Sequence, residues 1–238
     1  MRTNVLRLAA VDVRLVVRDP LLLLMPFVPF MAAAALRFVI PPLAEFIEGA
    51  TGFRLLDYAG LIRVVLVLFP GTFYGMIAGF LLLDDRDDGV SVYWGATPVG
   101  RTGYLAVRLV LFSLAAFVAG LAVSPLLGLG ARSPICDVSV ALLGAGQVAF
   151  FALFLGAFAA DKVEGLAILK ALSGLDLAPL AVLLPLPVRA IAWPFPQYWA
   201  AEMALGRSVP PLLALFAGVV ASVAWIAILA ARYRRRID

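Results

Sequence analysis

Long apolar runs alternate with short polar stretches along the whole chain, and the runs fall at residues 21–40, 61–83, 104–129, 138–160, 165–186 and 211–231. Each is close to the roughly 20 residues that carry a helix across a hydrocarbon core. The pattern predicts an all-α integral membrane protein, with six transmembrane helices forming a single transmembrane domain. Residues 1–20 read differently. There Leu6, Leu8, Val11, Val13, Leu15, Val16 and Val17 alternate imperfectly with Arg7, Asp12, Arg14 and Arg18, which predicts a helix lying in the membrane interface before the first span.

The interruptions set the remaining elements. Span 1 holds Pro26, Pro29 and Arg37, and Pro41-Pro42 is expected to stop it. Span 2 meets Asp84-Asp85-Arg86-Asp87-Asp88-Gly89, five charges in a row that no isolated lipid-facing helix would carry. Asp161-Lys162-Val163-Glu164 forms a turn before span 5, and span 5 itself contains Lys170, Asp176, Pro179 and Pro185. Between spans 5 and 6, Trp193, Phe195, Tyr198 and Trp199 sit among Pro187, Pro194 and Pro196. Such aromatics suit the headgroup level, and the prolines predict a re-entrant or interfacial segment.

Composition narrows the function. Of 238 residues, 64 % are hydrophobic and 14 % charged, against about a quarter charged in a typical soluble domain. Six spans leave no room for a separate soluble domain. The chain has no histidine, which removes histidine-based triads, zinc helices and proton shuttles. Its single cysteine, Cys136, excludes an internal disulfide framework. A net charge of +4 is small for a nucleic-acid partner, and the cations follow membrane topology instead. The N-terminal segment, the loops after spans 2 and 4, and the tail hold thirteen Lys and Arg; the opposite side holds six (Arg37, Arg54, Arg63, Arg132, Arg189, Arg207). Both termini are therefore expected in the cytosol of a protein of the cell membrane.

The cluster at 84–88 has three readings: a magnesium or phosphate-transfer site, a solvated helix end, or a docking surface. A metal site needs facing carboxylates, and the same side offers only Asp161 and Glu164, so docking is preferred and no metal or catalytic residue is assigned. Gly71, Gly75 and Gly79 make two overlapping G-x-x-x-G units, suited to close helix packing within one subunit or across a dimer seam. Arg37 and Arg63 are expected to snorkel to the outer end. Asp176 is too short to do so, and marks either a break in span 5 or a residue on a transport pathway. No G-x-x-x-x-G-K-[ST] occurs, so the chain has no P-loop for ATP.

The stretch Gly79-Phe80-Leu81-Leu82-Leu83-Asp84-Asp85-Arg86-Asp87-Asp88-Gly89-Val90, with Thr97-Pro98-Val99 and Tyr104-Leu105-Ala106-Val107-Arg108, resembles the first cytosolic loop of ABC type-2 transporter permeases, and more narrowly the fluoroquinolone-export permeases. Lys162-Val163-Glu164-Gly165-Leu166-Ala167-Ile168-Leu169-Lys170 and Pro196-Gln197-Tyr198-Trp199 extend the resemblance downstream. It implies an elbow helix before six spans, short re-entrant helices between spans 5 and 6, and a coupling helix after span 2 docking on a separate ATPase. On this chain coupling would fall to residues 84–98, with Asp84, Asp85, Arg86, Asp87, Asp88, Gly89, Trp94, Thr97 and Pro98 carrying it. Two ATPase subunits, holding ATP and magnesium, and a second permease subunit, identical or different, would complete the exporter. Its cargo would be a hydrophobic or amphiphilic small molecule, drug-like or lipid-like. Val92-Tyr93-Trp94-Gly95 is bulkier than the family pattern, and Asp176 interrupts a stretch expected to be apolar. The competing expectations are a non-transport membrane assembly protein binding a cytosolic partner, and a secondary transporter using Asp176.

Overall fold

The computed structural model describes residues 2–89, 100–130, 133–206 and 208–237, with side chains for all of these except 2–8, 101 and 237. Among the described residues every regular element is helical. Six stretches are long and apolar enough to cross a membrane: Pro20–Thr51, Leu55–Asp87, Thr102–Leu127, Pro134–Phe158, Lys162–Leu183 and Pro211–Arg236.

The N-terminal helix α1 (Arg2–Arg18) is followed at once by α2 (Pro20–Leu24). Asp19 separates them as an N-cap, its carboxylate accepting hydrogen bonds from the N–H of Leu21 at 2.9 Å and of Leu22 at 3.3 Å. Pro20 fits the first helical position because no intrahelical partner awaits its missing N–H. Burial pushes the Asp19 carboxyl up, but the Lys162 ammonium and the two N–H donors outweigh it, holding the group below its ordinary value. A 3-10 turn over Met25–Phe27 leads into α3 (Val28–Thr51).

Helix α3 does not stop at Pro41-Pro42 but continues to Thr51, and Gly52 caps it in the left-handed region at φ 75°. Two adjacent prolines remove two consecutive backbone donors, while the turns on either side hold the helix together. Such interruptions are tolerated where neighbouring groups satisfy the freed carbonyls. The glycine cap, rather than the prolines, ends the element.

Helix α4 (Ala59–Asp87) and α6 (Pro134–Phe158) form the buried centre, with α5 (Gly100–Leu127) beside them. Helix α7 (Lys162–Leu172) passes into an eleven-residue 3-10 segment, Ser173–Leu183. Asp161 caps α7 by accepting from the Glu164 N–H at 2.8 Å, and Glu164 reaches back to the Ala160 N–H at 2.5 Å, a reciprocal cap. Short α8 (Leu186–Arg189) and α9 (Pro196–Leu205) precede α10 (Pro211–Ile237). Helix α9 is too short to cross a bilayer. It buries Ala200, Ala201 and Met203 in a cluster shared with Leu61, Leu143 and Ala214.

Tyr233 of α10 shares a core cluster with Leu22, Leu83 and Leu155, so both chain ends lie at one end of the bundle, the termini face. The outer helices turn large apolar side chains outward, among them Phe38, Leu114, Ile135 and Leu212. Lipid solvates such a surface, and water does not.

Lipid tails are as apolar as leucine, so helices associate in a membrane through close packing rather than hydrophobic burial. The glycine row of α4 supplies that closeness. A Cβ on Gly71 would run into the carbonyl of Gly144 on α6, and one on Gly75 would stand 2.8 Å from Phe151 Cβ. The row faces α6 of the same chain.

Candidate functional site

The acidic end of α4 divides into inward and outward carboxylates. Asp85 turns inward to Arg108 of α5, whose Nη1 donates to Asp85 Oδ2 at 2.5 Å. The other edge of the guanidinium holds Asp12 of α1, with Nε donating to Oδ2 at 3.1 Å and Nη2 to Oδ1 at 2.6 Å. This fork-on-fork geometry is the strong form of an arginine–carboxylate pair. Tyr104, one helical turn before Arg108, donates its hydroxyl to Asp85 at 2.5 Å, accepts from Arg108, and lies under the guanidinium with its ring centroid 4.7 Å away. Arg108 is wholly buried, and Asp12 and Asp85 nearly so. Three elements, α1, α4 and α5, thus meet on one cation.

Asp84 instead faces Lys162, which lies 3.0 Å from both Asp84 and Asp19. Arg86 turns back across the bundle and donates to the carbonyls of Ala159 and Ala160, at the end of α6. Asp87 and Asp88 are exposed, and Gly89 adopts φ 66° as the chain leaves the helix. Trp94, Thr97 and Pro98, with the rest of residues 90–99, lie outside the described residues.

Arg37 and Arg63 repeat at the opposite end what Arg86 does at this one. Arg37 donates to the Leu126 carbonyl at 3.2 Å. Arg63 donates to the carbonyls of Leu129 and Gly130, and is buried rather than extended to the membrane surface. A cation at a helix C-terminus satisfies orphan carbonyls and complements the dipole. Arg63 thus departs from the snorkelling expected from sequence, whereas Arg37 stays exposed.

At mid-bundle, α4, α6 and the 3-10 segment share a polar trio. Thr72 donates its hydroxyl to Asp176 Oδ1 at 2.7 Å and lies 3.3 Å from Gln147 Oε1. A hydroxyl carries one proton, so Thr72 cannot donate both ways. With the Gln147 amide nitrogen turned to Thr72, glutamine donates to threonine and threonine to aspartate. That arrangement also gives a partner to a buried nitrogen that otherwise lacks one. Beyond the trio, towards the opposite face, α3, α4 and the 3-10 segment border an open apolar groove of about 530 Å³, lined by Leu36, Phe69, Leu177 and Leu180 among others.

Sequence reasoning missed Asp12, Tyr104, Arg108, Thr72 and Gln147 as members of these networks. The one signal available was Tyr104 and Arg108 at i, i+4, which places them on one helical face. Nothing local marks Asp12, whose partner lies 96 residues away.

Residues 12–230 match the family described as fluoroquinolones export permease protein Rv2686c-like. Two Mycobacterium tuberculosis proteins, each named as a fluoroquinolones export permease protein, are similar to the chain. They are Rv2686c of strain ATCC 25618 / H37Rv and MT2760 of strain CDC 1551 / Oshkosh. Each is 30 % identical over 200 residues, covering 80 % of this chain and 77 % of the relative. No solved structure matches. With six apolar helices and a match over almost its whole length, the chain is a multi-pass membrane protein that belongs to the Rv2686c-like family of fluoroquinolone export permeases.

Proposed function

We propose that this chain is the transmembrane permease subunit of an ATP-driven ABC exporter, moving a hydrophobic or amphiphilic drug-like or lipid-like molecule out of the cell. The names of its relatives support the drug-like class. The termini face is cytosolic in this reading, α1 is the elbow helix, and α9 belongs to the re-entrant segment. A second permease packs against the apolar outer faces of α3 and Ser173–Leu183, and two ATPase subunits supply ATP and magnesium. This chain hydrolyses nothing itself.

The observation that carries the proposal is the split acidic end of α4. Asp85 and Arg86 are consumed in holding that end to α1, α5 and α6, while Asp87 and Asp88 face outward at the start of the loop. A push on residues 87–98 is therefore delivered to a helix end that cannot yield separately from its neighbours. Spans 1, 2 and 5 then rock about a central pathway.

Asp87→Asn combined with Asp88→Asn tests this without touching a buried pair. Capture of the ATPase with the permease should fall by about tenfold, the scale of a lost interfacial charge pair, and export should fall with it. Permease yield and melting temperature should not change. Undiminished ATPase capture and export would remove the coupling assignment.

A further inference from the structure

We infer that the C-terminal end of α10, together with the end of α6, forms a headgroup site for an anionic phospholipid, held by Arg232, Arg235 and Arg236. The inference does not depend on the export reading.

Spacing brings the three cations together. Arg232, Arg235 and Arg236 stand at i, i+3 and i+4 of α10, which is one face of a helix. With Ala157 and Phe158 of α6 they line an open recess of about 440 Å³ at the termini face. The Arg232 guanidinium lies over the Phe158 ring, 5.4 Å from its centroid. Arg234, between them in sequence, does not line the recess. The helix seam alongside is tight: a Cβ on Gly156 would stand 2.7 Å from Tyr233 Cε2. The backbone that presents the arginines is therefore held against α6 before any ligand arrives.

What these cations lack is an anion. Elsewhere at the termini face the cations are spent: Arg108 on Asp12 and Asp85, Lys162 on Asp19 and Asp84, and Arg86 on the carbonyls of Ala159 and Ala160. Among the described residues Arg232, Arg235 and Arg236 make no ion pair and donate no hydrogen bond. Like charges within one turn repel one another, and a counter-anion relieves that repulsion. Guanidinium forks match the oxygens of a phosphate.

Position favours a lipid over a soluble anion. No charged residue occurs from Pro211 to Ala231, a run of about one hydrocarbon thickness, so Arg232 emerges at the depth of lipid phosphates. One turn back along α10, Ile228 is exposed, and so is Phe158 on α6. An acyl chain leaving the recess meets these apolar side chains, whereas free phosphate gains nothing from them. Basic pockets between membrane helices at this depth are the kind that hold anionic headgroups.

Native mass spectrometry of the full chain in neutral detergent, titrated with defined lipids, tests the inference. Phosphatidylglycerol should bind at least about tenfold more tightly than phosphatidylcholine with the same acyl chains. Arg235→Gln should weaken phosphatidylglycerol by about fivefold, and Arg234→Gln by less than about twofold. Combining Arg232→Gln, Arg235→Gln and Arg236→Gln should abolish the preference, and excess inorganic phosphate should not displace the lipid. The inference is overturned if the wild type shows no preference for phosphatidylglycerol. It is overturned if Arg234→Gln costs as much as Arg235→Gln, because the attraction is then diffuse surface charge. Displacement by inorganic phosphate would make the recess a soluble-anion site instead. An unchanged lipid preference in the triple variant, with capture of the ATPase lost, would make it a protein contact. Should the triple variant fail to fold, phenylglyoxal modification of the wild type decides. Phosphatidylglycerol must protect Arg232, Arg235 and Arg236 more than Arg234, and phosphatidylcholine must protect none; equal protection of all four overturns the site.

Discussion

Arg108→Met is expected to lower stability more than any other single side-chain truncation in the protein, by about 3–5 kcal/mol, the cost of stripping the partner from a buried charge. Two carboxylates, Asp12 and Asp85, converge on this wholly buried guanidinium. Removing it leaves both facing each other across an apolar gap between α1, α4 and α5. Arg108→Lys should rescue little, because an ammonium is a point charge and cannot hold Asp12 through two parallel hydrogen bonds while also reaching Asp85. The triple change Arg108→Met, Asp12→Asn, Asp85→Asn should recover much of the loss, since it leaves no buried charge. Melting followed by size-exclusion recovery after heating ranks the four proteins. An Arg108→Met protein that melts with the wild type would mean that the cluster carries no stability. The same cluster explains why Asp85 is a poor probe of partner docking: its replacement disturbs the bundle before any partner is considered.

Gly71→Ala is expected to destabilise by about 1–3 kcal/mol or more, the range for forcing extra atoms into a packed core. The added methyl would meet the Gly144 carbonyl of α6, and backbone cannot step aside as a side chain can. The row predicts a gradient. At Gly75 the obstacle includes the Val148 backbone at 3.1 Å, whereas at Gly79 the first obstacle is the Leu155 Cδ1 methyl, the end of a flexible side chain. Damage should fall from Gly71 to Gly75 to Gly79. Gly49→Ala is the control: a Cβ there meets nothing within 4 Å, and alanine should stabilise α3 by up to about 1 kcal/mol through helix propensity. Equal melting temperatures for Gly71→Ala and Gly49→Ala would show that α4 and α6 are not held at glycine distance.

The cation caps show where local reading stops. Arg37 and Arg63 each look in sequence like a charge near the end of its own span, to be relieved by reaching water, and Arg86 like one more charge of the acidic cluster. In the bundle each donates to carbonyls at or just beyond the end of another helix, 66–89 residues away. Pro41-Pro42 misled in the opposite sense. Prolines read as a stop because they remove backbone donors, but only two consecutive donors are lost and α3 runs on to its glycine cap.

What the chain determined by itself was its solvent, the number of its apolar spans, and the acidic stretch at the end of the second of them. Those follow from hydropathy and length, which are local properties set against one fixed quantity, the thickness of the bilayer. Tertiary structure alone decided which of five consecutive charges turn inward, that Asp12 and Arg108 are partners, and that Thr72 meets Asp176. Each of those is a pairing between helices distant in sequence. In lipid the choice of pairing is made by backbone approach and hydrogen-bond geometry, to which the linear pattern of apolar residues is blind.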